Sequence, residues 1–271
     1  MNKNIIFLVI FFITAHPALC QDYLQPNLIK KIDGPFSYFK RDESGNVFAI
    51  TSMGQLKKYN ANLDSMGVFN DIRSFGSVDY IASNNSLRTL IFSKQFRIIL
   101  ILDRLMQVVN KVNLSKLQVF QVQAVAQSYD NNIWVFDEQE SKLKKISETG
   151  KLIFESADLR LALSDVIQPV SIFDQSGFVY LYDPLKGLFI FDYYGALKNK
   201  IALLGWTNVQ FLGNAFLGTK GSTLLIYTPG SPNIKEMKIP EELTRAKSLQ
   251  FSSQGCMALF ENSIHSYQWS K

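Results

Sequence analysis

The sequence predicts an all-β chain folded as a ring of six four-stranded antiparallel sheets, a six-bladed β-propeller. Three observations carry that expectation. A strand-turn-strand-turn-strand unit recurs about every forty residues. The middle segments of these units are unbroken apolar runs, and one extended stretch near the N-terminus matches an outer strand that the last unit lacks.

The clearest copy runs from Tyr129 to Phe154. Asp130-Asn131-Asn132 is a turn, Ile133 to Asp137 an apolar strand, and Glu138 to Ser141 a polar link. Lys142 to Ser147 is a second strand, and Glu148-Thr149-Gly150 turns into Lys151 to Phe154. The same order begins at Arg41 and at Asp174, looser copies follow Asn84 and Gly213, and a sixth occupies the C-terminus. Each is preceded by a further extended segment: Phe36 to Phe39, Val78 to Ile81, Val122 to Ala126, Val170 to Phe173, Asn208 to Phe211 and Ser248 to Phe251. Four strands per unit follow.

Sheets standing radially in a ring are covered on both faces, so their middle strands lose the in-out alternation of a half-exposed sheet. Ile98 to Leu102, Leu188 to Phe191 and Leu224 to Tyr227 read that way. Outer strands are half exposed, which suits the mixed runs Asn110 to Leu114, Leu197 to Leu203 and Ile234 to Ile239. The sixth unit ends on its third strand at Trp269, and Leu28-Ile29-Lys30-Lys31-Ile32 supplies the missing fourth. The expected layout is a segment 1–20 and one propeller domain over 21–271, its last blade closed by the N-terminal strand.

The turns Asp42-Glu43-Ser44-Gly45 and Asp174-Gln175-Ser176-Gly177 each lead into a Val-Phe or Val-Tyr strand. In these turns and in the repeat, nearly the whole chain after residue 20 resembles the six-bladed propellers with NHL-like or TolB-like repeats. The Gly-His and Trp-Asp pairs of WD40 repeats are missing. The resemblance implies the fold and no activity, because that group includes scaffolds, sensors and enzymes.

Residues 1–20 read as a signal peptide: Lys3, an apolar run from Ile5 to Ile13, then small residues and Pro17. The run is too short for a permanent span, so no transmembrane segment is expected after cleavage. Ala18 and Cys20 fit ordinary cleavage before Gln21, and a lipid anchor at Cys20 is the rival reading. Export to the periplasm or the outer membrane of a bacterium is the expected localisation. Without Cys20, Cys256 is the only cysteine, so stability rests on the core, which 47% apolar and 13% aromatic residues can supply. Basic residues exceed acidic ones by five over the whole chain, too thin a surplus to point to nucleic acid.

Beyond the leader only His265 remains, which excludes a multi-histidine zinc site, and there is no phosphate loop, nucleophile elbow or cysteine cluster. Asp79, Asp165 and Asn208, near the starts of innermost strands, are the carboxylate and amide candidates for a calcium site of the kind lactonase-like propellers hold. Six or more oxygens cannot be assembled around them, so no catalytic residue, metal or cofactor is assigned. Asp42, Asp130 and Asp174 are expected to cap turns, and the pairs Lys30-Lys31, Lys57-Lys58 and Lys144-Lys145 to guard outer strands.

The connections between units are unusually apolar: Ile72-Arg73-Ser74-Phe75, Leu117-Gln118-Val119-Phe120, Leu159 to Leu163 and Leu204-Gly205-Trp206. They are either satellite core or a docking surface. The expected function is a non-catalytic envelope scaffold that binds an envelope or outer-membrane protein through Arg73, Phe75, Phe120, Arg160, Leu161 and Trp206. The alternative is a small-ligand or glycan sensor at the channel mouth, and a metal-dependent hydrolase or lyase ranks third. Intact mass of the secreted chain is expected to start at Gln21, and a lipid-modified Cys20 would overturn that.

Overall fold

In the computed structural model, which describes residues 25–85 and 87–270, the chain is a six-bladed β-propeller. Blade one holds β2 (Phe36–Arg41), β3 (Val47–Thr51), β4 (Leu56–Tyr59) and β5 (Ser65–Phe69). Blade two holds β6 (Tyr80–Asn85), β7 (Arg88–Ser93), β8 (Ile98–Asp103) and β9 (Val108–Asn113). Blade three follows with β10 (Val125–Gln127), β11 (Ile133–Asp137), β12 (Lys142–Ile146) and β13 (Leu152–Glu155). Blade four is β14 (Ser171–Gln175), β15 (Phe178–Asp183), β16 (Gly187–Asp192) and β17 (Leu197–Ile201), and blade five β18 (Thr207–Leu212), β19 (Ala215–Lys220), β20 (Thr223–Tyr227) and β21 (Ile234–Lys238). Blade six takes β22 (Ser248–Phe251), β23 (Gly255–Leu259) and β24 (Ser263–Trp269) from the C-terminus and β1 (Pro26–Asp33) from the other end. The expected closure is there, with β1 antiparallel to β24 from Pro26 opposite Trp269 to Asp33 opposite Ser263. The proposed signal segment 1–20, with Cys20, lies outside the described residues.

Apolar side chains form six clusters, one at each seam between neighbouring blades. Trp134 and Phe136 of blade three meet Val179, Leu181 and Phe189 of blade four; Met257 and Ile264 of blade six meet Phe39 and Val47 of blade one. Second strands such as β3 and β11 are buried along their whole length, and β17 and β21 are largely exposed. The strand pattern in the sequence is the direct record of this two-sided packing.

In each blade the first and third strands run one way and the second and fourth the other. The inter-blade connections and the hairpins between second and third strands therefore share one end of the ring, here the connection face. The remaining hairpins share the opposite hairpin face. Innermost strands bear free main-chain groups toward the central channel, and side-chain amides of the neighbouring blade engage several of them. Gln210 donates to the carbonyl of Phe251 at 2.7 Å and accepts from its N–H at 2.8 Å; Asn208 accepts from the N–H of Leu249 and Gln250 from that of Arg41.

Two lysine pairs depart from their expected place. Lys57-Lys58 and Lys144-Lys145 sit on third strands, and Lys58, Lys144 and Lys145 are buried; only Lys30-Lys31 lies on an outer strand. Their aliphatic stems fill seams while the ammonium groups find acids or carbonyls. Lys144 Nζ donates to Asp137 at 2.9 Å and pairs with Glu140 at 2.6 Å. Burial by itself depresses the Lys144 ammonium, yet the bonds to Asp137 and Glu140 together outweigh it and hold the group above the ordinary lysine value. Replacing Asp137 by Ala removes one of the acidic partners of a buried cation, leaving Glu140 in place, and is expected to cost about 1–3 kcal/mol in urea unfolding, with Asp137→Ala/Lys144→Met costing less. Equal losses in the single and double variants would show that the ion pair is not the source.

Candidate functional site

The connection face is built from short segments pinned to their neighbours. Ser52 N–H donates to Pro35 O, Glu138 to Gln121, Gly205 to Pro184, and Lys186 Nζ stands 2.6 Å from Asp165. Each connection crosses the end of a seam on its way from rim to centre, so its apolar residues divide between plugging the seam and facing solvent.

Two of the predicted anchors are plugs. Phe75, at the end of the single turn α1 (Ile72–Phe75), is 1% exposed and meets Phe69 edge-on; Trp206 is 4% exposed and stacked on Phe216. The Trp206 main chain is also held at both ends by one phenol, its N–H donating to Tyr182 Oη and its carbonyl accepting from it. The expectation that Phe75 and Trp206 are exposed is therefore corrected: a ring closed on itself needs a filler where each seam ends. Arg160 is turned back on Asp158, the cap of the turn α2 (Leu159–Leu163), through Nε and Nη2, so its charge is matched locally.

Arg73, Phe120 and Leu161 do face solvent, Leu161 at 83% exposure. Met53, Phe96 and Leu185 from hairpins of the same face and Val166 from a connection, which the sequence pattern did not mark, join them, together with Leu204 of the marked segment Leu204-Gly205-Trp206. Met53, Phe96 and Leu185 are lone apolar residues in polar turns, visible in the sequence but meaningless until the topology puts the turns on one end. Trp206→Ala is expected to cost about 3–5 kcal/mol of stability. Leu161→Ala should leave the melting temperature unchanged, and a calorimetric scan of both separates core from surface.

On the hairpin face the channel widens into a cavity of about 570 Å³. Lys40, Arg41, Ser83, Tyr80, Phe173, Phe211 and the glutamines 127, 175, 210 and 250 line it. The calcium candidates do not: Asp79 accepts from Lys94 N–H, Asp165 pairs with Lys186, and Asn208 is bonded to Thr219 and Leu249, all at the starts of inner strands and hence at the other end. Among the described residues no three acidic, histidine or cysteine side chains gather as a metal site. His265 on β24 is bonded through both ring nitrogens, to Ser263 and Tyr267, and desolvation chiefly, with Lys31, lowers its pKa.

Asp174 is not a turn cap. Its carboxylate accepts from Ser128 Oγ (2.6 Å), Trp134 Nε1 (2.8 Å) and Tyr193 Oη (2.6 Å), joining blades three and four at the cavity wall. Above this node Lys145 Nζ lies 4.9–5.3 Å from the ring centres of Trp134, Tyr129 and Tyr193 and 2.7 Å from Asp130. Asp42 does cap its turn, accepting from Asn46 N–H. Lys40 stands in the channel, where desolvation lowers its pKa, and no acidic oxygen among the described residues pairs with it. A base depressed by folding costs stability at neutral pH, and that cost is relieved as pH rises through its folded pKa. Lys40→Met is thus expected to raise the melting temperature by about 2 °C.

No protein-family model and no curated protein sequence matches the chain. Solved structures do. A streptogramin B lyase aligns at TM-score 0.60 and 12% identity over 92% of this chain and 98% of that one. A catalytically inactive virginiamycin B lyase from Staphylococcus aureus with Quinupristin gives 0.64 and 12% over 91% and 99%. The Pan2 WD40 domain of Neurospora crassa gives 0.57 and 11% over 91% and 96%. At such identities the fold is what is shared. The expectation that the chain is not an enzyme is overturned: lyases stand among the structures it resembles, so missing sequence motifs do not exclude catalysis on this architecture.

Proposed function

We propose that this propeller is exported to the bacterial cell envelope and binds a protein partner there through its connection face. The observation that carries the reading is the set of exposed apolar side chains, Met53, Phe96, Phe120, Leu161, Leu185 and Leu204, on turns that are pinned in place. Preorganised turns bind without a large ordering cost, and apolar residues scattered over one end of a ring supply the desolvated contacts an interface needs. Among the described residues no helix is long and apolar enough to cross a membrane.

Leu161 and Leu185, 83% and 79% exposed, are the residues to change, because neither supports the core. Crosslinking of the tagged protein in native envelope membranes is expected to yield a stoichiometric partner that Leu161→Asp/Leu185→Asp loses by more than tenfold, while Leu105→Asp/Tyr194→Asp on the hairpin face retains it. Retention by the first pair, or loss with the second, would overturn the assignment.

A further inference from the structure

We infer that the cavity on the hairpin face is a binding site for a small carboxylate with a flat ring as its body. This site is at the opposite end of the channel from the proposed partner surface and does not depend on it. Lys40 of β2 brings an ammonium to the cavity, and it has no acidic partner among the described residues. Arg41, the next residue, is turned to the opposite face of the sheet, its guanidinium beside Gly45. Ser83, only 3% exposed, lines the same cavity from β6, and its hydroxyl has no hydrogen-bond partner. A buried hydroxyl left unpaired costs free energy, as does a cation drawn partly out of water, so a chain that keeps both beside one void has donors waiting for an acceptor.

The two carboxylates that line the cavity do not meet this demand. Asp174 is occupied by the donors of Ser128, Trp134 and Tyr193, and Glu43 lies on an exposed turn at the rim, where water screens it. An anion seated against Lys40 would accept a charge-assisted bond from it and a further bond from Ser83. The rings of Tyr80, Phe173 and Phe211 form the apolar part of the wall. Phe173 and Phe211 are set edge to face at 5.4 Å, a fixed surface against which a planar body can pack. At about 570 Å³ the cavity is within the range of small-molecule sites.

The test uses the full secreted chain and benzoate as the probe, with benzyl alcohol as its uncharged counterpart and inorganic phosphate as an anion without a ring. Saturation-transfer NMR and calorimetric titration are expected to show benzoate bound, benzyl alcohol at least tenfold weaker, and phosphate without saturation of the binding curve. Lys40→Met and Ser83→Ala, each confirmed as folded by circular dichroism, should both weaken benzoate, Lys40→Met by about tenfold, the loss of one charge-assisted bond. Leu161→Asp/Leu185→Asp should bind benzoate as the parent chain does. Equal binding of benzyl alcohol and benzoate, unchanged affinity in both cavity variants, or no benzoate binding at millimolar concentration would each overturn the site.

Discussion

Every sheet in this ring must be apolar on both faces, and most of the structure follows from that demand. A blade packed on one side only would expose half its second and third strands, so no blade is stable alone and each seam is completed by the next. The six seam clusters meet this demand with large side chains, Trp134, Phe48, Phe92 and Phe189 among them, all buried. The connections are drawn into the same task. Phe75 and Trp206 belong to the seams as fully as strand residues do, and only the residues left over on those connections face water.

Two-sided packing also governs the polar groups. Charged side chains on third strands are caught between neighbouring sheets, so they occur with partners: Lys144 with Asp137, Lys145 with Asp130 and three rings, Lys58 with the carbonyl of Arg104. The channel is the exception, the one internal surface that no sheet covers. There the inner strands of adjacent blades are joined by glutamine and asparagine side chains in place of a ladder, Lys40 has no acidic partner among the described residues, and the Ser83 hydroxyl has no hydrogen-bond partner.

Strand count, strand order and closure were legible in the sequence because they are written at short range, in runs such as Ile98 to Leu102 and in turns such as Asp42 to Gly45. The orphan strand at Leu28 to Ile32 was legible because it completes a pattern. What depends on adjacency between blades was not. Asp174 looks like Asp42 in its repeat, yet its partners Ser128 and Trp134 lie in the preceding unit, a full repeat of chain or more away. Lys40 and Ser83 come from different units with no motif between them, and the exposure of Leu161 against the burial of Trp206 is decided by how each connection crosses its seam. The third-strand lysines were misplaced for the same reason: charge in a strand reads as an edge until the covering sheet is known.

The closing strand has a further consequence, in time and not in space. β1 is made before the other described strands and its partner β24 after them, so their pairing spans almost the entire domain. Contacts of such long sequence separation form late and slowly. Until then β1 is an unpaired edge carrying Leu28, Ile29 and Ile32, the kind of segment that pairs with other chains. Lys30 and Lys31 in its middle make that mispairing unfavourable during the wait, and the same charges sit on the solvent side once the ring is shut, Lys30 against Asp64 and Lys31 against Asp33. The lysines that look like surface decoration in the finished propeller act as gatekeepers for its assembly.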